Sequence, residues 1–191
     1  TVFYGFQILQ LKLRIDDFIS EQSMDEFIQK LAAVPLLFNP GDHWNYSIAT
    51  DVLGAVIARI EGKDLGVVLK ERLFDPLGMK DTGFRVAPHQ QHRLTEAYAF
   101  HPHKKMVSFD TGEGSRWARE AIEREGAFQS GGGGLLSTTA DYHRFCLMLL
   151  GGGTLNGKQI ISRKTLELMT ANHLKGGGDL TEHSVGVFSE D

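Results

Sequence analysis

The segment Asn39-Pro40-Gly41-Asp42-His43-Trp44-Asn45-Tyr46-Ser47 constrains this chain more than any other. Pro40-Gly41 is a strong turn dipeptide, and a helical pattern starts directly after it, near Ser47 or Ile48. Val52, Leu53, Val56, Ile57 and Ile60 recur at helical spacing and predict one inward apolar face, which Gly62 terminates. Asp51 falls in the first turn, where a carboxylate suits the positive end of the helix dipole. The turn thus delivers Tyr46 to the mouth of a helix. A tyrosine there is either a packed residue beside Trp44, bonded to a carbonyl, or a proton-transfer group. A free phenol titrates near ~10, and bringing it to ~7–8 needs roughly 3–4 kcal/mol of preferential phenolate stabilisation. Helix N-terminal amides and a lysine ammonium are groups able to supply that. The sequence places the helix beside Tyr46 and shows no such lysine.

The rest of the chain reads as helices followed by helices with strand fragments. Ser23-Met24-Asp25-Glu26 has the capping-box pattern ahead of Phe27, Ile28 and Leu31, which predicts a helix to about Val34. Asp64 opens another, with Val67, Val68 and Leu73 inward, that runs into the tight turn Pro76-Leu77-Gly78-Met79. Residues 80–115 read as irregular, with short strands near 96–100 and 105–109, and 116–125 as a short, charged, exposed helix. Gly131, Gly132, Gly133 and Gly134 then lead into a helix carrying Tyr142, Phe145, Cys146, Leu149 and Leu150. Ser162 caps a last helix with Leu166 and Met169 inward, Gly176-Gly177-Gly178 reads as a loop, and 184–188 as the start of a strand. The order implies a helical subdomain joined to part of an α/β or α+β domain.

Composition narrows the function classes. A net charge of -4 with no basic cluster argues against nucleic-acid binding. The apolar runs are too short to span a bilayer. The single cysteine, Cys146, forms no internal disulfide and sits in an apolar helical pattern, as a packing residue does. The glycine run lacks the Lys-Ser/Thr ending of a nucleotide loop, so close backbone approach is its simpler purpose. His89 with His92, and His101 with His103, lack an evident third ligand, so neither a metal nor another cofactor is expected. The start at Thr1 without an initiator Met, and the strand-like end, make both ends look cut.

Residues 35–84 resemble the serine β-lactamase and penicillin-binding-protein-like family, in its class C-type, esterase-like branch. The resemblance is carried by Pro40-Gly41, Trp44-Asn45-Tyr46-Ser47, Thr50-Asp51-Val52-Leu53-Gly54, and the run from Leu73-Phe74-Asp75-Pro76-Leu77-Gly78-Met79 to Lys80-Asp81-Thr82-Gly83-Phe84. It continues through residues 130–139, Asp141-Tyr142-His143-Arg144-Phe145, Leu149-Leu150, Leu155-Asn156-Gly157 and Ser162, over most of the chain. It implies a partial serine β-lactamase-like α/β (α+β) fold, a single family domain in which 1–115 would be mostly the helical region and 116–191 the glycine-rich loop, helices and part of the α/β region. It also implies acyl transfer from a small-molecule ester or amide to the serine of a Ser-x-x-Lys motif. Tyr46 would be the base or proton relay. Gly131, Gly132, Gly133 and Gly134 would border the substrate cleft. Where β-lactamases of the family usually carry Asn two residues after the tyrosine, this chain has Ile48, which favours an esterase-like enzyme. No serine here has Lys three residues on, and no Lys-Thr-Gly-type motif is present. In the family these lie upstream and downstream of the stretch represented. The expectation is an internal piece of a serine hydrolase, inactive by itself; the alternative is a binding or scaffold module of the same fold.

Overall fold

A computed structural model describes residues 23–36, 38–45, 47–96, 98–101, 105–108 and 129–184. Tyr46, the charged stretch 116–125, His103, the proposed boundary at 115/116 and all of the terminal strand after Ser184 lie outside them.

Helix α1 (Met24–Ala32) begins with the expected capping box: Ser23 Oγ accepts from the Glu26 amide, and the Glu26 carboxylate accepts from the Ser23 amide. The bonds that the Ser23 amide and then its hydroxyl donate to Glu26 Oε2 hold that carboxyl below its usual range. Phe27, 1% exposed, is its buried anchor. Helix α1 packs on α2 (Ala49–Glu61), where Arg59 also reaches Asp25 at 2.8 Å. Helix α3 (Leu65–Leu69) follows and packs back on α2.

The chain then widens into a π-helical turn, Lys70–Phe74, before the single turn α4 (Asp75–Leu77). Pro76 explains the widening. It has no amide hydrogen to return to the carbonyl four residues back, and its ring crowds that position. The ladder shifts by one residue, so that the Asp75 amide reaches Lys70 O; farther on, Gly78 in the left-handed region closes the helix, its amide donating to Asp75 O and the Met79 amide to Phe74 O at 2.8 Å.

A 3-10 turn, Pro88–Arg93, precedes an antiparallel hairpin of β1 (Tyr98–His101) and β2 (Lys105–Ser108), with Phe100 opposite Met106. These are the two strands the sequence predicts near 96–100 and 105–109. Helix α5 (Thr139–Leu150) leads to a second hairpin, β3 (Thr154–Leu155) and β4 (Lys158–Gln159). Its two-residue turn, Asn156-Gly157, has positive φ at both positions, the geometry that suits the twist of a tight hairpin. Helix α6 (Arg163–Met169) is capped by Ser162, whose Oγ accepts from the Thr165 amide. A short 3-10 turn, Lys175–Gly177, and α7 (Leu180–His183) complete the described chain.

The main core is Phe74, Leu77, Met79 and Met148, with Leu69, Leu73, Phe145, Leu149, Leu155, Ile160 and Ile161 packed around it. It joins the π-turn and α4 to α5 and the second hairpin. Two residues expected inward face outward instead, Val67 and Met169, and Tyr142 and Leu150 of α5 are exposed as well. On α2 the inward stripe is Asp51, Gly54 and Ala55, while Leu53 (55%), Val56 and Ile60 (77%) are exposed. The reason is distance. Small residues let α3 and the glycine-rich segment approach the α2 backbone, and Leu65 Cδ2 would lie 2.9 Å from a Cβ added at Gly54.

Met148→Ala, which empties the centre of the main core where Met148 is 1% exposed, is expected to lower the unfolding free energy by about 2–5 kcal/mol in a urea titration. A second test concerns Asp81, whose carboxylate receives Arg93 Nη2 and Gln90 Nε2, each at 2.9 Å. The Arg93 hydrogen bond, chiefly, holds the Asp81 carboxyl below its usual range. A depressed carboxylate contributes stability above its unfolded-state pKa, and that contribution is lost as pH falls through the folded-state value. Asp81→Asn should therefore melt at a lower temperature than the parent at pH 7, with the difference closing as pH falls below ~4.

Candidate active site

The turn that leads to Tyr46 is built as the sequence suggests. The Asp42 amide donates to Asn39 O, and the Asn39 side-chain amide donates to the Asp42 carboxylate, both at 3.1 Å. The Phe38 and His43 rings stack at a tilt with centroids 4.6 Å apart. Trp44 then forms a parallel bridge with Ser184, its amide donating to His183 O at 3.2 Å. Just beyond Tyr46, Ser47 Oγ accepts from the Ala49 amide at 3.2 Å and occupies one of the donors at the open end of α2. The segment is thus tied to α7 on one side and to the N-terminus of α2 on the other.

The glycine-rich segment, some eighty positions later, lands on that same end of α2. Ser130 Oγ donates to Asp51 Oδ1 at 2.5 Å, and the Gly132 amide donates to Ser130 Oγ at 3.0 Å. Asp51 is 9% exposed, so this bond serves a carboxylate largely withdrawn from water. Gln129 Oε1 accepts from the Gly66 amide at 2.6 Å, in the first turn of α3. Asp64 stands at the N-cap of α3 and makes no side-chain cap, so Gln129 supplies the acceptor that the local sequence does not.

The four glycines are not equivalent. A Cβ at Gly131 would stand 2.1 Å from Thr50 O, and one at Gly132 would stand 2.8 Å from Thr50 Oγ1 and 3.0 Å from Asp51 Oδ2. These two allow the loop to lie against α2. Gly133 is exposed, and a Cβ there would meet nothing within 4 Å. Gly134 has a φ of +81 and sits near Phe84.

The other end of the loop is anchored separately. Leu136 pairs with Gly83 through two backbone bonds, at 2.8 and 3.0 Å. Asp141, 6% exposed, accepts from the Asp81 amide and from Thr82 Oγ1 through Oδ2, at 2.7 and 2.9 Å. Its own amide is capped by Thr138 Oγ1. Of the two anchoring aspartates, one carries a readable local motif. Thr138-x-x-Asp141 has the form of a helix-start signature that was there to be read. Asp51 shows only as a charge suited to the dipole.

The structure therefore brings the predicted glycine segment to the end of the helix that follows Tyr46. Tyr46 itself lies outside the described residues. Among the described residues, no cluster of three or more His, Cys, Asp or Glu side chains is arranged to hold a metal ion. None of their helices is long and apolar enough to cross a membrane.

This fold is shared with a solved structure. The solved structure of EstCE1, described as a hydrolase with promiscuous acyltransferase activity, aligns with a TM-score of 0.72 at 24% identity, over 93% of this chain and 47% of that one. The likeness shows the fold, a serine β-lactamase-like one. Residues 9–187 match the Beta-lactamase family, and the chain belongs to it. An uncharacterised protein of Mycobacterium tuberculosis is 37% identical over 153 residues, which make up 80% of this chain and 36% of that protein. Esterase EstB of Burkholderia gladioli is 34% identical over 128 residues, 63% of this chain and 33% of that enzyme. The chain spans about a third of the length of these two relatives.

The unequal glycines yield a stability test. Gly131→Ala should cost about 1–3 kcal/mol in chemical denaturation, because its Cβ meets backbone. Gly133→Ala should change stability by no more than about 0.5 kcal/mol.

Proposed function

We propose that this chain supplies the tyrosine and the glycine-rich wall of a serine acyl-transfer site that acts on a small-molecule ester or amide, with hydrolysis of an ester the favoured outcome. The observation that carries the reading is the contact between the glycine-rich segment and the first turn of α2. It brings the glycine-rich segment, far away in sequence, onto the helix whose start follows Tyr46 in the chain. Membership in the Beta-lactamase family and the similarity to EstB point to the same class of chemistry. Ile48, at the N-cap of α2, supports esterase rather than β-lactamase specificity, since it offers no amide to a lactam side chain.

In this reading the nucleophilic serine and its lysine lie outside the 191 residues. The serine Oγ bonds to the substrate's carbonyl carbon while its proton passes to Tyr46. The tetrahedral intermediate expels the alcohol or amine, which takes that proton, and leaves an acyl-enzyme. Water then adds to the acyl carbon, again giving a proton to Tyr46, and the acid leaves as the serine is reprotonated. The N-terminal end of α2 favours negative charge and so stabilises the phenolate form. Gly133, whose missing side chain answers to no packing demand, lines the space for substrate.

The full product of the reading frame that encodes this chain should hydrolyse p-nitrophenyl butyrate. Tyr46→Phe should lower kcat by roughly 10²–10⁴-fold, and Gly133→Ala should raise KM. The 191-residue chain alone should show no serine-dependent turnover. A fluorophosphonate should label a serine outside it. Tyr46→Phe with full activity, or labelling of a serine within these residues, would refute the assignment. A reading frame without Ser-x-x-Lys and without turnover would establish a binding module instead.

A further inference from the structure

The Asp51–Ser130 contact bears on the geometry of the site as well as on packing. Ser130 Oγ gives its single proton to Asp51 Oδ1 and accepts from the Gly132 amide, so it is engaged in both directions. That engagement suits a group that holds others in place, not one that attacks substrate. The two bonds fix residues 130 and 132 relative to each other and to the first turn of α2. Between them, Gly131 is confined by Thr50 O and by Gly54, whose Cα would lie 3.1 Å from a Cβ at Gly131. Gly133 is the first residue of the run without such contacts, and where it stands follows from how 130–132 is held.

We propose that Ser130 and Asp51 are positioning residues: their link sets the height of the glycine-rich wall over the mouth of α2, and thereby the approach of substrate to the reacting groups. The proposal rests on the acyl-transfer reading above. It accounts for two features that reading leaves unused. One is a buried carboxylate at the helix end. The other is a serine that belongs to no Ser-x-x-Lys motif.

The test uses the full product of the reading frame, with Ser130→Ala, Ser130→Thr, Asp51→Asn and Tyr46→Phe. Hydrogen exchange reports the latch directly. Ser130→Ala should speed exchange of the Gly132 amide by about tenfold or more while amides of α5 (Thr139–Leu150) keep their protection. With p-nitrophenyl butyrate, the same variant should lose roughly 10- to 100-fold in kcat, with KM within about threefold of the parent, as misplacement of a bound substrate does. Ser130→Thr, which keeps the hydroxyl, should recover kcat to within about threefold. If Ser130→Ala does not fold, Asp51→Asn, which keeps an acceptor oxygen and loses the charge, should still lower kcat severalfold.

Unchanged exchange at Gly132 overturns the latch. Faster exchange with unaltered kcat and KM reduces it to a structural link. Equal loss in Ser130→Ala and Ser130→Thr removes the hydroxyl's role, and fluorophosphonate labelling of Ser130 would make it a nucleophile. The two readings separate cleanly. If Tyr46→Phe is fully active while Ser130→Ala loses kcat and gains exchange, the function assigned to Tyr46 falls and the latch stands. An inactive parent protein ends both.

Discussion

A loop backbone lying directly on a helix backbone is the contact on which the rest of this structure depends. Gly131 approaches Thr50 so closely that no other residue fits without displacing main chain. Glycine costs roughly 0.5–1 kcal/mol relative to alanine where its freedom serves nothing. Here that freedom is what allows the approach. Hydrogen bonds from Ser130 to Asp51 and from Gly66 to Gln129 offset the ordering. Bonds to charged groups contribute about 1.5–3 kcal/mol and neutral ones about 1 kcal/mol. The inward stripe of α2 follows from the same contact, because a helix that must touch another backbone presents Gly54 and Ala55, not its larger side chains.

The same device occurs twice. Asp51 is the third residue of α2, and Asp141 is the third residue of α5. Each is buried, each receives bonds from a distant loop, and each sits where the helix dipole tolerates a carboxylate. A buried charge is costly unless hydrogen-bonded, so both positions demand their loop partners. Asp51 fastens the front of the glycine-rich segment, and Asp141, together with the Gly83–Leu136 pair, organises its far end. The loop is thus suspended between two helix starts.

Much of this was legible in the sequence, in proportion to how local each cause is. The Ser23–Glu26 capping box, the Pro40-Gly41 turn, the Ser162 cap and the strands of the first hairpin all follow from residues within a few positions of one another. The direction in which α2 faces did not follow. Val56 and Ile60 form the obvious apolar stripe, yet the buried side is decided by a segment some eighty residues away. Periodicity measures where apolar residues cluster, and small residues that permit close approach leave little trace in it. Of the candidate site, the glycine run is picked out by composition and Tyr46 is proposed from its turn and family likeness. The carboxylates that fasten the loop were not found, because their partners are distant in the chain.

The π-turn at Lys70–Phe74 has a consequence for how this backbone tolerates change in length. One residue more than an ordinary helix would hold is accommodated there, and each residue in a helix turns the chain by about 100°. Leu77 and Met79 reach the same core as Phe74 only because that surplus has been absorbed before Pro76. Deleting one residue there would regularise the helix and leave its far side facing Met148, whereas one more residue beyond the turn would rotate that side away. The irregular turn is therefore a phase correction: it brings two stretches of helix, out of step with each other, onto a single core.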